Sequence, residues 1–334
     1  HLLRQGAARI IYTIHNLQYQ GRWNPSILDE AGLSPQQVFT LNGVEFWGDV
    51  NWMKAGIVYA DVITTVSHRY AREIQTLDHG WGLDEILFQR HPRIFGIPNG
   101  LDWHSWNPAT DDNIVAHYTP AEAPSAKLRN RTALRQEFGL PDNPDQPLIG
   151  IVSRLVDQKG FDLLAEIADT LVTLPLQLVV LGTGHQHYEQ LFHNLAANSP
   201  NVRARIGFDV ALSHRIYAGA DFFLMPSAFE PGGLGQLIAL RYGTLPIVHD
   251  TGGLADTVTD IDAHPDNGNG FSFTSYEAPA LLDALHRALE HYADQDTWPA
   301  LIARAMAYDS RWSASARSYS DLYRRVLHAH LATS

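Results

Sequence analysis

Short apolar runs separated by stretches of helical period organise most of the chain, and their order predicts its architecture. In the N-terminal part, strands are expected at 8–13, closing on His15 and Asn16, at 62–66, and at 94–97. Helices are expected over 53–60 and 68–77, while 20–48 is loop-rich and aromatic. From residue 148 the alternation becomes regular, with strand candidates at 148–152, 176–181, 202–206, 222–225, 244–248 and 271–273. Helical patterns such as 163–174 and 186–197 fill the gaps. Crossovers of that length join parallel neighbours, which predicts a doubly wound parallel sheet. Helices over 278–292, 298–307 and 315–332 close the chain. Between the two alternations, 107–147 is proline-rich around a polar helical segment at 125–138 and reads as a connection. The expected architecture is α/β, with two Rossmann-like units and the first of them incomplete.

Composition narrows the partners. A chain of 334 residues exceeds one ordinary core, in keeping with two domains. The net charge of −12 and the lack of a long basic run argue against nucleic acid or an anionic membrane as the main partner. With no cysteine, disulfides, thiolate metal sites and cysteine nucleophiles are excluded. No apolar run approaches membrane-spanning length and no signal-peptide pattern is present, so the cytoplasm is the default location. The chain opens at His1 without a methionine and runs almost at once into a strand, which suggests further sequence upstream.

Candidate chemistry gathers where strands end. Around 221–253 an apolar strand is followed by Glu230, then by Pro231, Gly232 and Gly233 opening a helical pattern, then by another strand and Thr251-Gly252-Gly253. Ligands of open α/β sheets bind at carboxyl ends of strands, and a helix start attracts anions. An anionic ligand beside Glu230 is the first inference. Arg154 and Lys159 follow the strand at 148–152 and can converge on one phosphate; alone, they also read as surface cations flanking a helix start. Gly182 and Gly184 end the next strand, where glycine permits close approach to a ligand or simply a turn. They lack the third glycine of the dinucleotide fingerprint, so a nicotinamide enzyme is not expected. His185, His187 and His193 have no carboxylate at ligand spacing, and no metal site is expected from them. The acids at 260–266 lack calcium-loop spacing and read as a polar loop.

Taken together the motifs resemble the bacterial glycogen synthase and plant starch synthase family. The stretches that carry the resemblance are 12–21, 52–56, 61–67 with 70–73, Asn99-Gly-Leu-Asp102, 106–111, 153–160, Phe229-Glu-Pro-Gly-Gly-Leu234, 239–243, 251–256 and 268–271, in the family's order over nearly the whole chain. The resemblance implies a GT-B type fold, two Rossmann-like parallel-sheet domains facing a cleft. The domains would be a partial N-terminal domain plus linker at 1–140, a nucleotide-sugar-binding domain at 141–309, and a helix at 310–334 returning to the N-terminal domain. It also implies retaining transfer of glucose from ADP-glucose to the non-reducing end of an α-1,4-glucan, with no metal or other cofactor. Arg154 and Lys159 would neutralise the diphosphate, and Glu230 would sit by the donor glucose. Gly232, Gly233, Leu234 and Gly235 would hold the sugar or phosphate, with Gly182, Gly184, Thr251, Gly252 and Gly253 also on the substrate. His15 and Asn99 would reach the glucose from the N-terminal domain.

Gly232 and Gly235 stand where the family commonly has cysteine and threonine. The family's lysine- and glycine-rich donor loop would precede His1. Two alternatives accompany the reading: a GT-B transferase using UDP-glucose, or a nucleotide- or glucan-binding fragment without turnover.

Overall fold

The structure, a computed structural model, describes residues 9–331. The expected ends at Ala8 and Ala332 lie outside the described residues. Contacts divide the chain into two compact units: one gathers the residues up to Asn99 and those from Ser313 on, the other is Gly100–Trp312.

In the first unit, β1 (Ile11–Ile14) is followed by three very short strands, β2 (Arg22–Trp23), β3 (Glu45–Phe46) and β4 (Asp49–Asn51). β5 (Val62–Thr65) and β6 (Ile94–Gly96) complete a parallel sheet in the order β1-β5-β6. The segment expected as loop instead folds β2, β4 and β3 into a small antiparallel sheet, too short in each strand to show alternation in the sequence. Lys54 fastens it from the helix Trp52–Tyr59, donating to the carbonyls of Leu41 at 2.8 Å and Glu45 at 2.5 Å. The terminal helix Trp312–Leu331 joins this unit from residue 313 on: Leu322 is buried with Val62 and Ile97, and Ser315 Oγ donates to the Pro98 carbonyl at 2.6 Å.

The second unit carries six parallel strands: β7 (Leu148–Val152), β8 (Gln177–Gly182), β9 (Val202–Ile206), β10 (Phe222–Met225), β11 (Leu245–His249) and β12 (Phe271–Phe273). Their order is β12-β11-β10-β7-β8-β9. The chain steps outward from β7 to β9, returns to lay β10 beside β7, then steps outward the other way. This is the Rossmann order, and its reversal lies between β7 and β10. β8, β10 and β11 are almost wholly buried, as strands covered on both faces must be.

Three expectations are corrected here. The helix expected over 163–174 is two pieces, Phe161–Glu166 and Ala168–Leu171, broken at Ile167. The helix expected to open at Pro231 begins at Gly235, because the glycines before it stay in a turn, with Gly233 at φ +62°. The proline-rich segment is no loose connection. Its helix Ala123–Phe138 packs into the second unit through Ala123 and Ala126, and Tyr118 donates to the Tyr242 carbonyl at 2.9 Å.

That helix also buries a lysine. Lys127 Nζ donates to the carbonyls of Ala218 (3.1 Å) and Tyr242 (3.2 Å) and to Thr244 Oγ1 (2.8 Å). Burial pulls its pKa down from 10.5 to about 7. The unfolded chain therefore binds more protons than the folded one between those values, and stability must rise with pH through that window, by at most about 1.4 kcal/mol per pH unit. Urea unfolding from pH 7 to 9 should show wild type gaining on Lys127→Met by that trend; a difference independent of pH would contradict it.

Candidate functional site

The reversal of strand order leaves a cavity of about 260 Å³ at the carboxyl ends of β7 and β10. Ser153 and Arg154 leave β7 along one wall, Pro226 and Ser227 leave β10 along another, and Lys159 and Glu230 complete it. Two loops distant in sequence are bonded backbone to backbone here. The N–H of Ala228 donates to the Gln158 carbonyl at 3.0 Å, and the Gln158 side chain donates to the Phe229 carbonyl at 3.2 Å. Gly160 makes this approach possible: its φ is +75°, and a Cβ there would stand 1.9 Å from the Pro226 carbonyl oxygen.

This fastening sets Lys159 Nζ 2.5 Å from Glu230 Oε2. Ser227 Oγ donates to the same oxygen at 3.1 Å. Both side chains of the ion pair are largely shielded, at 17% and 8% exposure, so salt screens it little and losing one partner strands the other charge. Ser227 is itself positioned from β11: His249 Nδ1 lies 2.8 Å from the Ser227 carbonyl oxygen, which requires the proton on that nitrogen. Arg154 is exposed on the cavity's rim.

The glycines separate into two groups. Gly233, Leu234 and Gly235 line the cavity. Gly235 sits over Phe223, Met225 and Tyr217; a Cβ there would lie 3.0 Å from the Phe223 ring, so a larger residue must displace its floor. Thr251, Gly252 and Gly253 are buried behind that surface, and Gly232 is half-buried. Gly253 N–H donates to the Glu230 carbonyl at 2.8 Å, and a Cβ on Gly252 or Gly253 would stand 2.0 Å from the Glu230 or Gly232 carbonyl oxygen. They support the Glu230 loop by permitting that close backbone contact.

A second cavity, of about 320 Å³, shares Val152, Ser153 and Arg154 with the first and opens beside the ends of β8 and β9. Gly182 lines it, and its other walls are largely apolar, with Trp106, Leu181, Phe208 and Val210. Phe208 is 89% exposed, an aromatic face held open at a strand's end. Sequence reasoning passed over Phe208, Ser227 and His249. The available signal for Phe208 was an aromatic in a glycine-led loop after a strand. Gly184 packs against Leu155, whose carbonyl oxygen is 2.2 Å from where its Cβ would be.

His15 and Asn99 belong to the other unit. His15 is exposed just past β1, in a loop pinned by the Leu17 N–H donating to the Tyr70 hydroxyl at 3.0 Å. Asn99 is half-buried one residue after Pro98, which Ser315 holds.

Comparison with known proteins identifies the class first. Residues 131–299 match the family model for group 1 glycosyl transferases, and residues 2–89 match that for the starch synthase catalytic domain. The chain superimposes on the catalytic domain of starch synthase IV from Arabidopsis thaliana, solved with ADP and acarbose. The TM-score is 0.90 and the identity 38%, over 96% of this chain and 67% of that one. It thus has the GT-B type of fold found in two-domain glycosyltransferases. Among curated relatives, glycogen synthase of Desulforudis audaxviator is 48% identical over 95% of this chain and 63% of its own length. That of Anaeromyxobacter dehalogenans is 48% identical over 96% and 67%. The chain belongs to the glycogen and starch synthase family. It spans about two thirds of the length of these relatives. Among the described residues no helix is long and apolar enough to cross a membrane.

The loop contact at Gly160 generates a stability prediction. Gly160→Ala meets both the left-handed φ and the Pro226 carbonyl, whereas Gly139→Ala, at φ +62° with nothing within 4 Å of its Cβ, meets the backbone term alone. In denaturant unfolding, Gly139→Ala should lose about 1–2 kcal/mol and Gly160→Ala clearly more. Equal losses would show that the two loops do not need this close approach.

Proposed function

We propose that this chain carries the donor-handling machinery of a retaining glucosyltransferase that moves glucose from ADP-glucose to the non-reducing end of an α-1,4-glucan. The observation that carries the reading is the convergence of Arg154, Lys159 and Glu230 on one cavity at the sheet's reversal point. Membership of the glycogen and starch synthase family supports the sugar chemistry, and the starch synthase solved with ADP and acarbose supports the choice of nucleotide and glucan.

Charge explains the division of labour. Breaking the bond between the sugar's anomeric carbon and the diphosphate leaves negative charge on the phosphate and positive charge on the sugar. Arg154 and Lys159, fixed before the reaction, neutralise the phosphate charge as it develops, so this step needs no divalent ion. Glu230, set beside Lys159, faces the positive side. Its Oε2 is taken by both Lys159 and Ser227, an arrangement suited to electrostatic support and poor for a nucleophile. Retention then follows from attack by the acceptor hydroxyl on the face the diphosphate leaves, with the hydroxyl proton passing to the departing phosphate oxygen. The apolar cavity beside Phe208 suits a nucleobase, joined through Ser153 and Arg154 to the phosphate site.

Calorimetry with ADP and UDP, paired with transfer of labelled glucose from ADP-glucose to glycogen, tests the reading. ADP should bind more tightly than UDP. Arg154→Ala and Lys159→Ala should each weaken ADP at least about tenfold, the loss expected of a charge-assisted bond. Tighter binding of UDP would move the chain to the UDP-glucose alternative. ADP affinity unchanged in both variants would remove the phosphate clamp, and ADP binding without transfer would leave a binding unit.

A further inference from the structure

Asp157, His185 and His187 bring a carboxylate oxygen and two imidazole nitrogens within 4.8 Å of one another. They come from two loops. Asp157 opens the tight turn Asp157–Lys159 after β7, and the histidines flank Gln186 where the helix Gln186–Asn198 begins. Side chains two apart within a helix point away from each other. His185, however, precedes the helix in extended backbone at φ −71° and ψ 132°, and its ring centroid comes within 5.6 Å of that of His187. Asp157 Oδ1 then lies 3.6 Å from His185 Nδ1 and 3.8 Å from His187 Nε2. Two ligand atoms on a tetrahedral zinc ion stand about 3.4 Å apart; both distances to Asp157 are within a few tenths of an ångström of that, and side-chain rotation would draw in the two imidazole nitrogens, which lie within 4.8 Å of each other. The Tyr188 hydroxyl donates to Asp157 Oδ1 at 2.9 Å, and the Tyr188 ring packs edge-on against Phe161. Support of this kind orients ligating carboxylates.

We propose that Asp157, His185 and His187 form a surface site for one divalent transition-metal ion, with zinc the best match and water in the remaining position. Two imidazoles and one carboxylate favour zinc and its neighbours over magnesium or calcium, which prefer all-oxygen sets. The site stands apart from the chemistry on the sugar. It ties the turn that carries Lys159 to the start of the helix Gln186–Asn198, and so steadies one side of the phosphate clamp. His193 falls outside the cluster.

Titrating zinc chloride into the chain by calorimetry tests this. One ion per chain is expected. His185→Ala, His187→Ala and Asp157→Asn should each weaken it at least about tenfold. His193→Ala should leave it unchanged, and magnesium at the same concentration should give no binding heat. Zinc should also raise the melting temperature of the wild-type chain by more than that of His187→Ala. Absence of zinc binding, equal binding in all variants, or an equal rise in melting temperature in both chains would overturn the site.

Discussion

The close passage of two loops at Gly160 and Pro226 is the constraint on which the rest of the site depends. Backbone atoms meet there with no room for a side chain, and the bonds from Ala228 and Gln158 lock the passage. Everything chemically distinctive lies within a few residues of that contact: Lys159 before Gly160, and Ser227 and Glu230 after Pro226. Gly252 and Gly253 press the Glu230 loop from behind by the same device. Gly160, Gly252 and Gly253 thus act through backbone packing, and the packing sets the charges.

The sheet accounts for why the contact occurs where it does. Return of the chain to lay β10 beside β7 brings two carboxyl ends together whose loops leave on opposite sides. The cations arrive on the β7 loop and the acid on the β10 loop. They meet in one cavity at the junction of the two loops.

Much of this was legible in the sequence, for identifiable reasons. Strands 148–152 and 222–225 were read with the bounds the structure has, because centrally buried strands are continuous apolar runs framed by glycine and proline; the edge strands 202–206 and 271–273 also have the bounds expected of them. Arg154, Lys159 and Glu230 could be picked because each follows such a strand. What failed was long-range or very short. β2 and β3 have two residues each, too few to show a period. His249 reaches Ser227, and Asp157 reaches His185 and His187, through the fold alone. The histidines looked unpartnered by a carboxylate because that carboxylate lies on another strand's loop. Gly252 and Gly253 looked like ligand contacts because glycine's permissiveness reads the same whether a ligand or a carbonyl approaches.

A crystal structure of the chain with ADP tests the central claim most directly. The account predicts the diphosphate against Arg154 and Lys159 at the ends of β7 and β10, Glu230 on the side where the glucose would stand, and the base in the apolar cavity beside Phe208. A nucleotide bound elsewhere, or bound there with neither Arg154 nor Lys159 in contact with its phosphates, would contradict it.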